Sequence, residues 1–140
     1  MSRTDLKIGD VAVRAGVSRD TVRFYEKLGL LPRAARTSSG YRQYSESAVE
    51  RIRLVRTASR AGFSLKELAS FFRARAQGQA PCRSVRAAGA RILGALDQQI
   101  AELTASRDAM RATLQDWDDR LSRTPHGQPA RLLEMLSRPS

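Results

Sequence analysis

Two chemically versatile side chains occur once each in the 140-residue sequence, Cys82 and His126. A zinc finger or a three-ligand catalytic zinc site would need carboxylates or a second chain to complete its ligand set. A lone thiol cannot close an intramolecular disulfide, which fits a reducing cytoplasm. With one histidine, one cysteine and no phosphate-binding glycine loop, the sequence offers no constellation for catalysis. Arginine is the residue type that clusters. The 25 Lys and Arg outnumber 14 Asp and Glu, giving a formal net charge of +11. That bias calls for a polyanionic partner, nucleic acid first and an anionic membrane surface second. Residues 1–60 hold 13 of the basic and 6 of the acidic side chains, so the polyanion-facing part belongs in the first half.

Those arginines need elements to aim them. Ile8, Val11, Ala12 and Ala15 follow helical spacing, and Gly16 ends that helix. Ser18 then suits an N-cap, with Asp20 in the first turn. Val22, Tyr25 and Leu28 line the inner face of the second helix up to Gly29. Two short helices joined by a glycine turn are the helix-turn-helix pattern, whose second helix enters the DNA major groove. Opposite Val22 lie Arg19, Asp20, Arg23 and Lys27, with Thr21, Phe24 and Tyr25 at the edges. Arginine forks onto guanine or phosphate, and hydroxyls donate to phosphate oxygens. A solvated helix face is the plainer alternative. Next, RAARTSSGYRQY, from Arg33 to Tyr44, makes a short basic hairpin or wing around a Ser-Ser-Gly turn. Tyr44 is expected to plug the core beneath it and Tyr41 to stay outside.

Ser45 can cap a third helix running to about Ala61, with Val49, Ile52 and Val55 inside and Gly62 at its end. Ser64-Leu65-Lys66-Glu67 is a capping box that starts a fourth helix through Phe72. After a break at residues 78–81, no proline occurs from Cys82 until Pro125. Leu93, Leu96, Ile100, Leu103, Met110, Leu114, Trp117 and Leu121 step by threes, fours and sevens. That heptad stripe, interrupted by Arg107, needs an apolar partner, and a second copy of the chain is the simplest one. Leu132, Leu133 and Leu136 suggest a short terminal helix that packs on something. No run of about 18 apolar residues exists to cross a membrane, and the N-terminus lacks the apolar stretch of a secretory signal.

LKIGDVAVRAGVSRDTVRFYEKLGLL followed by RTSSGYRQYSESAVERIRLVRTASRAGFSLKEL closely resembles the DNA-binding half of the MerR family of bacterial regulators. The resemblance covers about residues 6–72, and the helix from Cys82 is similar to the family's dimerisation helix. It implies a mainly α fold: a winged helix-turn-helix DNA-binding domain over residues 1–78 and a long antiparallel coiled-coil dimerisation helix over 79–124. A C-terminal loop and short helix over 125–140 would be a candidate effector region. It also implies a cytoplasmic homodimer on an inverted-repeat promoter operator, distorting the DNA so that RNA polymerase engages. Matching positions for DNA contact are Ser18, Arg19, Thr21, Arg23 and Tyr25 on the recognition helix, with Arg36, Tyr41 and Arg42 in the wing. Phe24 stands where the family often has tyrosine.

The effector is left open. Cys82 matches the cysteine that begins the dimerisation helix in the mercury-, cadmium- and lead-responsive branch. That branch has further cysteines near the far end of the helix, where this chain has Asp116, Trp117, Asp118, Asp119 and then His126. A soft cation prefers thiolates, and one thiolate per site is a poor match. The readings are a metal ion at Cys82, alone or with His126 and carboxylates; a thiol switch; a small organic ligand near Trp117; or an inert cysteine. A rival to the regulator as a whole is an architectural or excisionase-like DNA-binding accessory protein, which shares the helix-turn-helix and wing.

Overall fold

The computed structural model describes residues 5–32 and 34–138. Met1–Thr4, Arg33 of the expected wing, and Pro139–Ser140 lie outside the described residues. In chain order the elements are α1 (Ile8–Ala15), α2 (Arg19–Lys27), β1 (Ala35–Arg36), β2 (Arg42–Gln43), α3 (Glu46–Ala61), α4 (Leu65–Ala76) and α5 (Cys82–Ser122), followed by a 3-10 turn, Leu133–Ser137. They form two compact units, residues 1–93 and 94–140, with the division inside α5.

The first unit is built on one core. Val11, Ala12 and Ala15 of α1, Val22 and Tyr25 of α2, and Ala48, Val49, Ile52 and Val55 of α3 are buried together with Leu30, Leu31, Leu68 and Ala69. α1 starts where the Lys7 amide donates to Asp10 Oδ2 (3.0 Å). It ends at Gly16, whose φ of 71° is costly for any residue with a Cβ. α4 starts in the expected capping box: the Ser64 hydroxyl accepts from the Glu67 amide (3.0 Å), and the Ser64 amide donates back to Glu67 (3.2 Å). The start of α5 packs here as well. Ala88 is buried, and Gly62 has φ 115° with only 2.9 Å between a would-be Cβ and Ile92. Gly62 therefore serves both the end of α3 and the approach of α5.

Three local expectations are corrected. Leu28 is 36% exposed and not part of the inner face. α2 has its last helical residue at Lys27, so Leu28 falls on the cap, off the helical register. The Ser45 hydroxyl makes no cap hydrogen bond and pairs instead with Ser47. At the C-terminus, the expected short helix is a 3-10 turn that leaves Leu133 and Leu136 exposed.

In the second unit α5 continues to Ser122 as one uninterrupted helix, 41 residues in all, or roughly 60 Å at about 1.5 Å per residue. No helix among the described residues is long and apolar enough to cross a membrane.

Candidate nucleic-acid interface

The helix-turn-helix is clamped from behind by α3. Arg56 donates to the Ala15 and Gly16 carbonyls (3.1 and 3.3 Å), and Arg53 donates to the Arg14 carbonyl (2.8 Å). These are the carbonyls left open at the end of α1, so both arginines are structural and fix the turn that aims α2. At the start of α2 the Ser18 Oγ accepts from the Thr21 amide (3.0 Å) and meets the Thr21 hydroxyl (2.9 Å). This ties two of the expected phosphate donors to each other and to the helix N-terminus, which itself favours anions.

The outer face of α2 presents Arg19 and Arg23. Arg23 bonds Asp20 (3.0 Å) across one turn. Arg19 lies over the first turn of α1, where a Cβ on Gly9 would meet its Nη2 at 3.0 Å. Gly9 thus leaves room for a guanidinium. Tyr25 is placed differently from the other expected contacts: at 9% exposure it belongs to the core. It sits three residues after Val22, on the inward side of the helix, which removes its ring from the outer face.

The wing is a two-residue antiparallel ladder with Ala35 opposite Gln43 and Arg36 opposite Arg42. Thr37 closes its turn, accepting at Oγ1 from the Tyr41 amide (3.1 Å) and donating its own amide to the Tyr41 carbonyl (2.7 Å). Leu6 extends the ladder through reciprocal bonds with Tyr44 (3.1 and 2.8 Å). The two tyrosines part as expected, Tyr41 being 74% exposed and Tyr44 2%. Two arginines directly opposite in a ladder repel, and the structure manages this through Glu26. Its Oε2 accepts from Arg42 Nη1 (2.8 Å) and from the Tyr44 hydroxyl (2.9 Å), latching the wing to α2. The Tyr44 hydroxyl and the Glu26 carboxylate hold Arg42 in its charged form and push its pKa up. Burial, then the bond to Glu26, raises the Tyr44 phenol above its ordinary 10.0.

Between the start of α1, the outer face of α2 and the wing runs an open groove of about 970 Å3, lined by Arg19, Arg23, Arg36, Tyr41 and Arg42 among others. Its shape and its four guanidiniums suit a phosphate backbone with base edges beneath. Sequence reasoning missed Glu26, Gly9, Arg53 and Arg56. Each acts across the chain, so no local spacing marks it.

The other expected site residues, Cys82 and His126, fall in different units. Cys82 is an exposed free thiol at the first residue of α5, in the first unit, and His126 is exposed in a turn of the second. Among the described residues of one chain, no group of three or more His, Cys, Asp or Glu side chains could hold a metal ion. A metal site on one chain would therefore have fewer than three such ligands among the described residues. Of the seam, Leu93, Leu96, Ile100, Leu103, Met110, Leu114 and Leu121 are exposed. Trp117 is half-buried, its indole N–H shut from solvent with no acceptor among the described residues.

The MerR HTH family regulatory protein family matches residues 6–75, and the family described as MerR, DNA binding matches residues 49–117. A probable heavy metal-dependent transcriptional regulator of Haemophilus influenzae is 36% identical over 114 residues, covering 81% of this chain and 86% of that protein. The HTH-type transcriptional regulator ZntR of Escherichia coli (strain K12) is 31% identical over 121 residues, covering 86% and 83%. Among solved structures, HiNmlR, a MerR family regulator lacking the sensor domain and bound to promoter DNA, superposes with a TM-score of 0.56 at 25% identity, covering 88% of this chain and 95% of that one. With the helix-turn-helix, the two-stranded wing and the long α5 all in place, the chain belongs to the MerR family and is a DNA-binding transcriptional regulator.

Proposed function

We propose that the protein works as a homodimer whose two α5 helices pair antiparallel, placing two helix-turn-helix units on an inverted-repeat promoter operator. It then controls RNA polymerase by distorting the DNA between them. Ser18, Arg19, Thr21 and Arg23 face the bases and phosphates from α2, and Arg36, Tyr41 and Arg42 hold the flanking backbone. The observation that carries this is the basic groove in which two elements aim four guanidiniums at one concave surface. The unpartnered apolar stripe of α5 supports the dimer, since a helix of this length keeps such a stripe only against a partner.

Binding of an effector would bias this distortion. Similarity to a probable heavy metal-dependent regulator supports a metal or thiol-reactive effector at Cys82. The enclosed and unpartnered indole N–H of Trp117 supports a small organic ligand or the second subunit as the source of its acceptor. His126, exposed and far in sequence from Cys82, the chain's one cysteine, adds one nitrogen ligand at most.

A footprint of the purified protein on the DNA upstream of its own gene tests the reading. A protected dyad within an overlong promoter spacer is the expected result. Protection without a dyad, or binding indifferent to sequence, would favour the architectural accessory protein instead.

A further inference from the structure

A second basic cleft, of about 410 Å3, shares no lining residue with the DNA groove. Leu31, Pro32 and Phe72 give it apolar walls, and Arg51, Arg73 and Arg75 border it. Arg51 is held in place twice over. Its guanidinium carbon lies 3.9 Å from the centre of the Phe72 ring, and its Nη1 donates to the Leu30 carbonyl (3.3 Å). Arg75 approaches the same ring at 5.9 Å. Attraction to the ring face orients both cations but cancels neither charge. No ion pair among the described residues involves either of them; the carboxylates that do pair serve Arg14, Arg23, Arg42, Arg91, Arg107 and Arg123.

Burial and the neighbouring Arg75 charge together lower the Arg51 pKa from its ordinary value. Two cations at one ring, one of them half-buried, repel each other unless an anion lies between them. A carboxylate matches guanidinium geometry and can take parallel hydrogen bonds from it. The apolar walls add a second requirement, an uncharged body attached to the anion.

We propose that this cleft binds a small organic carboxylate with a compact apolar body, the carboxylate between Arg51 and Arg75 and the body against Leu31, Pro32 and Phe72. Its volume falls in the lower part of the range of small-molecule sites. The site acts on DNA binding through its position: Leu30–Pro32 is the chain that leaves α2 for the wing, and Arg51 already holds it by the Leu30 carbonyl. A carboxylate that draws Arg51 changes the hold on that connection. This inference goes beyond the promoter reading and does not depend on it.

The test titrates benzoate, acetate and inorganic phosphate into the isotope-labelled full-length protein, following the arginine Nε–H resonances. Benzoate is expected to shift Arg51 and Arg75 saturably and to bind more tightly than acetate, which lacks the body. Arg75→Gln, a change at an exposed position, is expected to weaken benzoate by about tenfold or more, the loss of one charge-assisted bond. Arg60→Gln, outside the cleft on α3, is expected to leave it unchanged. The proposal is overturned if benzoate gives no saturable shift, if Arg75→Gln changes nothing, or if phosphate binds more tightly than benzoate. It is also overturned if Arg75→Gln weakens operator binding with a shallower salt dependence, because the cleft would then be a DNA phosphate contact.

Discussion

The two units of the chain treat their apolar side chains in opposite ways. In residues 1–93 one core takes in Leu6, Val11, Val22, Leu30, Tyr44, Ile52, Val55 and Leu68, and arginine is the commonest charged side chain left outside, beside a few exposed apolar ones such as Val13, Phe24 and Leu54. In residues 94–140 the helix carries Leu96, Ile100, Leu103, Met110, Leu114 and Leu121 outside, with Leu103 70% exposed. A unit that buries its own apolar surface is stable by itself and uses its exposed groups for a polar partner. A unit that leaves a heptad stripe uncovered is specified by what it must meet. On the proposed dimer, the first would hold the information about DNA and the second the information about assembly.

The sharpest way to break this contrast is to charge the stripe. Ile100→Glu combined with Leu103→Glu places two carboxylates in the seam without touching the first unit. Sedimentation is expected to show a monomer at micromolar concentration. Operator affinity is expected to fall by about a hundredfold or more, since the second half-site is no longer bound by the same molecule. A variant that stays dimeric with full affinity would remove the stripe from the dimer interface.

Smaller effects distinguish reading from positioning within the first unit. Arg23→Ala is expected to weaken operator binding by about 1–3 kcal/mol and to relax base preference at one position if the guanidinium is bidentate to a base. Glu26→Gln keeps an acceptor for Tyr44 but removes the charge that holds Arg42 beside Arg36. It is expected to weaken binding by about threefold to tenfold, with base preference unchanged, if the wing holds backbone and not bases as proposed. Competition with operators mutated one base pair at a time separates the two. If Glu26→Gln alters base preference, the wing latch also sets the angle of α2.

What the sequence disclosed and what it hid follow from the range of each interaction. Ser18 and Thr21, Ser64 and Glu67, and Gly16 and Gly62 act within one helical turn or at a single residue, so their types and spacing announce them. Tyr41 and Tyr44 flank β2 an odd number of residues apart, and successive residues of extended chain face opposite ways, which fits their separation. Glu26 was not legible: its partners stand 16 and 18 residues away, and nothing in the helix pattern distinguishes it from a solvated carboxylate. Arg53 and Arg56 reach the end of α1 from 39 to 41 residues away. They cap carbonyls, a role that no local spacing marks. Tyr25 carried two readings, inward by spacing and outward by family resemblance, and its burial favours the spacing. The cleft at Phe72 brings together Leu31, Arg51 and Arg75, which no local pattern links.

The smallest effect concerns how α4 is tied to the first turns of α5. Glu67 accepts from the Ser64 amide and hydroxyl (3.2 and 3.3 Å) and pairs with Arg91. These bonds, the Ser64 amide first and the Arg91 charge next, hold its carboxyl below the ordinary 4.5, against a partial offset from burial. A carboxyl whose folded pKa is depressed contributes stability that is fully present above its unfolded value and is lost as pH falls through the folded one. Glu67→Gln is therefore expected to be less stable than the parent near pH 7. The difference should shrink in acid as the parent's own carboxyl takes up its proton. Urea denaturation of both proteins at about pH 7 and about pH 3 reads this directly. A gap that keeps its size across that range would assign the contribution to hydrogen-bond geometry, which glutamine disturbs at every pH, and not to the charge. The same comparison on the parent and Arg91→Gln then tells the two anchors apart, because a helix cap needs only Ser64 whereas an inter-helix tie needs the cation on α5.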